Sequence, residues 1–414
     1  MYNLPSTSND ASVFMNTKQI NFDRIFKVTH DLLQIQDLDL LLEQILTAVR
    51  KIVNADAGSI YLVEGIQLKF SYTQNDTLQK KLSFGKKLIY ATFSMPINNR
   101  SIAGYVANNG ILVNIADAYV LDDFQPYSFD QTFDEKTGYR TKSILAVPIK
   151  TASGDISGVI QLINALRIDR TIRSFTAIEE AIVQLFADNA AVSIEHAQML
   201  RSMITRTNKM VTLRDPTATM GNSNRIAAYT IEIYEAWAHK KGVPEKELQY
   251  KRNILRMAAM LYNIGKVAIP SAVLQKPYEK LTPVEQKIYQ QHTVYGARLF
   301  TDDNSSFAEI AGDIALNHHE CWDGSGYPGH VDVVTGQPLP GYEMADSGAI
   351  GKRGEEIPIY ARIVAVSCAY EREDNKDDVN AILANSGKQF DPDVVAAFIS
   401  CLEVIRSIST RYQD

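Results

Sequence analysis

The stretch that decides the fold reads NHHECWDGSGYPG and runs from residue 317 to residue 329. Its adjacent histidines, His318 and His319, end an apolar run and stand beside carboxylate side chains. Because histidine is the commonest protein metal ligand and titrates near neutral pH, the pair first indicates half of a metal centre. The glycines and the proline that follow favour a tight loop. The remaining ligands must come from elsewhere in the chain.

Composition and charge are those of a soluble globular protein. The 414 residues predict two or three domains, and 45% of them are hydrophobic and 22% charged. A net charge of -6 gives no electrostatic reason to expect nucleic-acid binding. No apolar run reaches about 18 residues, so membrane insertion is not expected. A polar N-terminus without a signal core, and three cysteines without a Cys-x-x-Cys pair, predict a cytoplasmic location.

The first half of the chain has the pattern of a small α+β domain. Apolar residues recur at helical spacing over residues 22–53. Alternating or apolar runs then predict strands at 57–63, 67–72, 112–115, 143–150 and 157–164.

A single helical pattern covers residues 175–214. About 40 residues at 1.5 Å each span roughly 60 Å, longer than one domain covers. The expected buried positions are Ile178, Ala181, Ile182, Leu185, Phe186, Ala190, Val192, Ile194, Ala197, Leu200 and Met203. Pairing with a second copy, as in a coiled coil, would cover such a helix, and we therefore expect a homodimer. Packing back onto either domain is the alternative.

From residue 224 onward the pattern is almost entirely helical. The expected helices lie at 226–241, 246–262, 282–299, 307–318, 357–371 and 393–407, with a long irregular insert at 329–356. Thr282, Pro283 and Glu285 form a typical capped helix start, with threonine at the N-cap and glutamate three residues later.

Three motifs in the first half occur together in one known family. They are 101–104 (SIAG), 114–119 (NIADAY) and 134–141 (DEKTGYRT), the last just before a strand. Residues 22–200 thereby resemble a GAF domain of the cyclic-nucleotide-binding type found in phosphodiesterases and some adenylyl cyclases. The resemblance implies an antiparallel sheet with helices and a possible cyclic mononucleotide ligand. The implied ligand-binding residues are Ser59, Phe70, Ile102, Ala103, Asp134, Thr137, Thr141 and Gln161.

Two departures from the GAF pattern affect the expected ligand. The family carries an Asn-Lys…Phe-x-x-x-Asp-Glu motif whose Lys and Asp form an ion pair that closes the pocket. Here Ala165 replaces that lysine, and Gln161 stands where many relatives have glutamate. A GAF fold used only for dimerisation is therefore the alternative to a nucleotide sensor.

The second half matches another family at several separated points. They are 214–216, 261–270, 276–277, 281–283, His292 with 296–297, the opening stretch, 354–358 and 389–392. Residues 214 to about 402 thereby resemble the HD-GYP family of metal-dependent phosphodiesterases that hydrolyse cyclic di-GMP. The resemblance implies an all-α domain with a di- or trinuclear iron or manganese centre that activates water.

Most of the implied metal ligands are replaced in this chain. The ligand positions hold Asn222, Tyr262, Asn263 and Cys368, and only His292, His318 and His319 remain. We therefore predict a degenerate, catalytically inactive domain without a metal cofactor. One ion held by three imidazoles is an alternative, and a residual metal-dependent phosphodiesterase acting on cyclic di-GMP or a related cyclic dinucleotide is another.

Two further surfaces bear on the function of the second half. Lys266 is the candidate for phosphate binding, whereas residues 371–378 are mostly acidic where the family is rich in Arg and Lys. Such a surface would repel an anionic dinucleotide. In the family the Gly-Tyr-Pro loop is implicated in contacts with diguanylate cyclases. The residues expected to contact a partner here are Trp322, Asp323, Gly324, Gly326, Tyr327 and Pro328.

The sequence thus predicts an α+β GAF domain joined by a long helix to an all-α HD-GYP-like domain. The expected boundaries are a disordered segment at 1–21, the GAF sensor at 22–174, the connecting helix at 175–213 and the degenerate HD-GYP domain at 214–414. We interpret the chain as a cytoplasmic signalling protein whose GAF domain senses a ligand and whose second domain acts by binding a protein.

Overall fold

A computed structural model describes residues 31–32, 35–81, 94–122, 124–215, 219–345, 348–372 and 379–411. The segment expected to be disordered, 1–21, and the helical pattern at 22–30 lie outside these residues. Among the described residues, no helix has the length and apolar character needed to cross a membrane.

The first half folds around one antiparallel sheet. Helix α1 (Leu38–Val53) precedes strands β1 (Ala55–Glu64), β2 (Gln67–Asn75), β3 (Ser94–Pro96), β4 (Val113–Ile115), β5 (Ile144–Lys150), β6 (Ile156–Leu166) and β7 (Ile172–Arg173). The sheet order is β3-β2-β1-β6-β5-β4, with β7 paired to β6. Short helices α2 (Asp76–Gln79), α3 (Ile102–Asn109) and α4 (Thr132–Thr137) fill the connections. The predicted α+β architecture is confirmed.

The long helix α5 (Ala177–Thr212) follows the sheet and begins at a capping box formed by Thr176 and Glu179. Phe186, Ala190 and Ile194 are buried in the same core as α1 and the sheet. Of the positions expected to be buried, Ile178, Leu185, Val192 and Met203 are instead between 41% and 57% exposed. Ala181 is exposed as well. Periodicity identified apolar faces but could not tell which of them the sheet covers.

The second half is a helical domain. Its helices are α6 (Met220–Lys241), α7 (Glu245–Met260), α8 (Ser271–Leu274), α9 (Pro283–Gln290), α10 (His292–Arg298), α11 (Ser306–Asn317), α12 (Ile359–Arg372), α13 (Asn380–Ala384), α14 (Pro392–Ser400) and α15 (Leu402–Arg411). Tyr229, Tyr370 and Phe398 are fully buried at its centre. The capping box predicted at Thr282 and Glu285 is present.

One predicted helix, 282–299, is divided at Gln291 into α9 and α10. The division lies where the backbone of Gly265 packs against His292 and Gly296. A Cβ atom at Gly265 would stand 1.9 Å from the His292 carbonyl oxygen and 2.3 Å from the Gly296 nitrogen. The sequence pattern carried no sign of this close approach, because Gly265 is distant along the chain.

The two halves contact each other where α1 begins. The Asn253 side chain on α7 accepts hydrogen bonds from the backbone N–H groups of Gln36 and Asp37, both at 2.9 Å. Arg256, one turn further along α7, forms an ion pair with Asp37 at 3.3 Å. Arg252 pairs with Glu43 of α1 at 3.0 Å. The helical domain therefore holds the start of the first helix of the sheet domain.

Candidate functional site

Three imidazoles converge in the helical domain. His292 is the first residue of α10, His318 ends α11 and His319 follows it. One ligand nitrogen from each ring can be chosen so that all three lie within 4.8 Å of one another. The ring centroids of His318 and His319 are 4.2 Å apart, and each is within 5.5 Å of His292. The structure thus brings together all three residual candidates expected from the sequence.

Backbone contacts orient two of these rings. The Nδ1 atom of His292 lies 2.7 Å from the Tyr289 carbonyl oxygen, and that of His318 lies 3.0 Å from the Ile314 carbonyl oxygen. A neutral imidazole whose Nδ1–H donates to a carbonyl carries its lone pair on Nε2. Both Nε2 atoms are buried without a hydrogen-bond partner among the described residues. They therefore have the orientation of metal ligands.

Burial keeps all three rings neutral. It lowers the pKa of His318 to about 3. It also lowers the pKa of His292 and of His319 well below the usual value of 6.5, and the neighbouring His318 ring adds to the effect on each. Neutral imidazole is the form that binds metal.

The four residues at the replaced ligand positions line the cavity beside His319, and none of them offers an anionic metal ligand. The Asn222 carbonyl oxygen accepts a hydrogen bond from Arg225 at 2.5 Å. The Tyr262 ring meets His318 edge-on at 5.4 Å, and burial raises the pKa of its phenol well above 10. Burial raises the pKa of the Cys368 thiol to about 12, and the Asn263 carbonyl oxygen is buried without a hydrogen-bond partner among the described residues.

The donor set therefore fits one metal ion and does not fit a bridged pair. Three neutral nitrogens suit a single zinc-like ion. Two ions a few ångströms apart need bridging anionic oxygens to offset their mutual repulsion. Among the described residues, no carboxylate belongs to the histidine cluster.

A cavity of about 540 Å³ opens beside His319, and its walls carry both charges. Lys266, the expected phosphate-binding residue, lines it and forms a buried ion pair with Asp215 at 2.8 Å. Although burial lowers the pKa of Lys266, Tyr289 and Asp215 raise it above its usual value. The ammonium group is thus charged but already engaged by a carboxylate.

Two cations of this cavity were not predicted from the sequence. Arg372 lines the wall, and its positive charge contributes to the lowered pKa of all three histidines. Arg372 follows Cys368 by one helical turn of α12, so the two side chains lie on the same face of the helix. This spacing could have predicted from the sequence that Arg372 is near the site. Lys276 also lines the cavity. The rest of the acidic segment, 373–378, lies outside the described residues.

Hydrogen bonds to the buried Glu320 side chain stabilise the Gly-Tyr-Pro loop. The buried Glu320 carboxylate accepts from the backbone N–H groups of Gly329 at 2.6 Å and Lys352 at 3.1 Å. Gly326 packs so closely that a Cβ would stand 2.3 Å from the Cys321 nitrogen. Glu320 was not predicted as a functional residue, and it ties the end of the loop at Gly329 to the segment at Lys352.

The two aromatic residues expected to contact a partner are both partly exposed and differ in what they stack on. The Tyr327 ring stacks on His319, with 4.7 Å between centroids, and lines the cavity. Tyr327 was expected as a surface anchor, and its ring stays partly exposed while it also covers the imidazole. Trp322 remains partly exposed beneath the Arg362 guanidinium, 5.6 Å from the ring centroid, and Asp323 is exposed. Every residue of the loop expected to contact a partner is therefore at least partly exposed.

A second cavity, of about 820 Å³, lies in the sheet domain against the start of α3. Seven of the eight expected ligand-binding residues line it: Ser59, Phe70, Ile102, Ala103, Asp134, Thr141 and Gln161. Thr137 is not part of the lining, because its hydroxyl turns back to donate to the Phe133 carbonyl oxygen at 2.8 Å. Arg100 and Lys136, which sequence reasoning did not single out, bring positive charge to the wall.

The Asp134 carboxylate already accepts hydrogen bonds from neighbouring residues of the protein. Its carboxylate accepts from the Tyr119 hydroxyl at 2.9 Å, the Thr141 backbone N–H at 2.7 Å and the Thr141 hydroxyl at 2.9 Å. The implied role of Asp134 in ligand binding therefore competes with three internal donors.

The ion pair that closes the pocket in the family is absent here, as Ala165 predicts. Ala165 is fully buried in β6. Glu179 instead forms a bidentate pair with Arg173 of β7, with N–O distances of 2.6 and 2.8 Å. The carboxylate thus anchors the start of α5 to the sheet.

Comparison with known families agrees with this division of the chain. The family model of the GAF domain matches residues 37–194, and that of the HD domain matches residues 198–334. A cyclic di-GMP phosphodiesterase of Thermotoga maritima is 34% identical over 170 residues, which are 39% of this chain and 40% of that protein. A dual 3',5'-cyclic-AMP and -GMP phosphodiesterase 11A of Takifugu rubripes is 31% identical over 205 residues, 47% of this chain and 21% of that protein.

The chain spans less than half the length of both of these relatives. Among solved structures, a GAF domain/HD domain protein from Geobacter sulfurreducens is 14% identical with a TM-score of 0.30, covering 41% of this chain and 98% of that one. The family matches, taken with the observed sheet and helical domains, identify the chain as a GAF domain followed by an HD domain.

Proposed function

We propose that this protein is a cytoplasmic regulator in cyclic-nucleotide signalling whose HD domain acts by binding rather than by hydrolysis. The observation that supports this proposal is the set of residues at the metal-ligand positions of the HD cavity. They are three neutral imidazoles, with asparagine, tyrosine and cysteine at the other positions. Relatives named as cyclic di-GMP phosphodiesterases support the signalling context.

Metal analysis combined with turnover tests the inactive HD domain. The purified chain is expected to hold at most one equivalent of metal and to leave cyclic di-GMP intact in the presence of iron or manganese. Two equivalents per chain together with hydrolysis would refute the proposal. The double variant Asn263→Asp with Cys368→Asp serves as a gain-of-ligand control, because it returns two carboxylates to the cluster.

The GAF domain would supply the input by binding a cyclic mononucleotide. A cavity of about 820 Å³ is large enough for such a ligand, and the backbone N–H groups at Ile102 and Ala103 begin a helix at its wall. Arg100 and Lys136 add favourable charge for a phosphate. Calorimetry on ligand-free protein with cyclic AMP and with cyclic GMP tests this step. If neither nucleotide gave a heat of binding, the nucleotide-sensor hypothesis would be excluded. The alternative, a GAF domain used for assembly, would then stand.

The output would be a protein contact at the Gly-Tyr-Pro loop, with a diguanylate cyclase as the proposed partner. Trp322 is partly exposed and Asp323 is exposed on the loop, and the hydrogen bonds that Glu320 accepts support its conformation. A preformed aromatic side chain contacts a partner at low entropic cost. Binding assays with Trp322→Ala, compared with the distant exposed variant Ile168→Ala, test this assignment. Equal binding by both variants would exclude the loop.

A residual metal-dependent phosphodiesterase is the second candidate. The two buried Nε2 atoms of His292 and His318, oriented by backbone carbonyls and without partners among the described residues, favour it. One bound ion would act as a Lewis acid on a phosphoryl oxygen. Titration with zinc and with manganese, followed by assay of cyclic dinucleotide hydrolysis, tests it. Hydrolysis that His318→Ala abolishes would establish this candidate in place of the first.

A further inference from the structure

A third cavity, of about 520 Å³, lies beside the start of α1. Its walls come from α1, from strands β1 and β2 and from α5. The face of the sheet that carries Leu62 packs against α1 and α5, whereas the 820 Å³ cavity lies on the other face, against α3. The two cavities are therefore on opposite faces of the sheet, and the third is large enough for a small metabolite.

A polar stripe of α5 faces this cavity. Gln198, Ser202 and Thr205 stand four and three residues apart, so they share one face of the helix. All three are half-buried, and among the described residues no hydrogen-bond partner contacts their side chains. Because partly buried amide and hydroxyl groups need hydrogen-bond partners, the stripe favours a ligand that carries polar groups.

Two pairs of opposite charges also line the cavity. Arg201 Nη1 lies 3.2 Å from Asp39 Oδ1, and Lys69 Nζ lies 3.1 Å from Glu64 Oε1. The four charges cancel, so net charge attracts neither an anion nor a cation to this place. All four side chains keep part of their surface exposed to solvent. Such pairs contribute little to stability, so a ligand can replace one partner at low cost.

The floor of the cavity is apolar. Leu38, Leu42 and Leu62 line it and are 7%, 1% and 4% exposed. An aliphatic group placed on this floor would be removed from water, which is favourable. The cavity thus combines an apolar floor with adjacent opposite charges and with unused hydrogen-bonding groups.

We propose that this cavity binds a free α-amino acid with an aliphatic side chain. Its ammonium and carboxylate groups are attached to one carbon, so they match the opposite charges of Asp39 and Arg201, 3.2 Å apart. The carboxylate accepts from Arg201, the ammonium donates to Asp39, and both hydrogen bonds are charge-assisted. The side chain lies on the leucine floor. A ligand with only one charge would satisfy only one member of the pair.

The position of the site connects it with both domains. Asp39 also forms an ion pair, through its second oxygen, with Arg256 of α7 in the helical domain. The amino acid would therefore contact the same carboxylate that joins α1 to α7. It would stabilise the arrangement of α1 and α5 to which it binds.

Calorimetry on the full-length chain tests the ligand class. We expect L-leucine to bind, and we expect 3-methylbutylamine and 4-methylpentanoate to bind about tenfold more weakly or less, because each lacks one of the two charges. Equal affinity for leucine and either analogue would overturn the proposal. Absence of a binding heat with leucine, valine and methionine would overturn it as well.

Two variants test the place of binding. Arg201→Gln should weaken leucine binding about tenfold or more, because it removes the charged donor to the carboxylate. Ser202→Leu should also weaken it, because the larger side chain fills the cavity without changing its charge. The matched control is Arg206→Gln, the same change at an exposed position of α5 outside the cavity, and it should bind leucine like the wild type.

Leucine binding that either cavity variant leaves unchanged would place the amino acid elsewhere and overturn the proposal. Circular dichroism of each variant checks that the fold is retained. The site uses neither the histidine cluster nor the 820 Å³ cavity, so its failure would leave the proposed function standing.

Discussion

Replacing Asn253 with alanine should separate the two domains of this chain. The Asn253 side chain is 8% exposed, and its carbonyl oxygen accepts from two backbone N–H groups, those of Gln36 and Asp37, at 2.9 Å each. Alanine would leave both donors without this acceptor in a largely buried contact. An unsatisfied buried group costs about 1–3 kcal/mol, so we expect the variant to lose about 2–4 kcal/mol of unfolding free energy.

The position of the tryptophans gives the measurement. Trp237 and Trp322, the two tryptophans of the chain, both lie in the HD half, whereas circular dichroism reports on both domains. We expect urea unfolding of the wild type to give coincident curves for the two signals. In Asn253→Ala the dichroism should begin to fall at lower urea than the fluorescence, because the GAF domain loses its attachment at the start of α1.

A control on the same helix separates this effect from a general loss of helix stability. Gln249 lies one turn before Asn253 on α7, and among the described residues its amide donates to Glu245 of the same helix, at 2.7 Å. Gln249→Ala should change the unfolding free energy by less than about 0.5 kcal/mol. If Asn253→Ala stayed within the same limit with coincident curves, the contact would not hold the domains together.

Three further changes test the packing and charge of the HD half. Gly265→Ala should destabilise the fold by about 3 kcal/mol, seen as a lower melting temperature, because its Cβ would stand 1.9 Å from the His292 carbonyl oxygen; a melting temperature within a degree of the wild type would contradict this. A hydrogen bond from Lys276 lowers the pKa of Glu285 to about 2, below the 4.5 of the unfolded chain, so its stabilising effect is complete above pH 4.5 and is lost as the pH falls towards 2. Melting temperatures of Glu285→Gln should therefore vary less over that interval, and a profile parallel to the wild type would refute the assignment. Because burial raises the pKa of Cys368 to about 12, iodoacetamide at pH 8 should leave it unmodified in the native protein and label it after denaturation; rapid native labelling, read by mass spectrometry, would contradict its burial.

Local features of the fold were predictable because their causes are local. The capping box at Thr282 and Glu285 depends on four consecutive residues, and the strands follow from patterns of a few residues each. The break at Gln291 was missed because it arises where Gly265 meets His292, 27 positions away along the chain. A periodic pattern reports which face of a helix is apolar and carries no information about what approaches that face.

The candidate site also has some features that the sequence predicts and others that depend on the fold. Residue types alone showed which metal ligands are replaced, since that depends only on identity at each position. The surroundings of the remaining histidines depend on the fold: Arg372 was assigned to an acidic run, yet it lines the cavity beside His319, and the partly exposed Tyr327 also stacks on His319. Asp134 was predicted as a ligand acceptor because its type suits the task, but Tyr119 and Thr141 already supply its donors.

Coupling between the two cavities requires a path, and α5 with α7 supplies one. The first turns of α5 form part of the GAF core, while near its other end the Asn208 side chain donates to the Met260 carbonyl oxygen at 2.8 Å. Both Asn208 and Met260 line the HD cavity. A GAF ligand can alter the HD cavity only if it binds two arrangements of these helices with different affinity. Asn208→Ala leaves both cavities with their charged residues but removes this contact, so it should abolish any effect of a GAF ligand on partner binding while leaving the affinity for that ligand unchanged. If the effect persisted, the signal would have to cross at the contact between α1 and α7, where Asn253 holds Asp37.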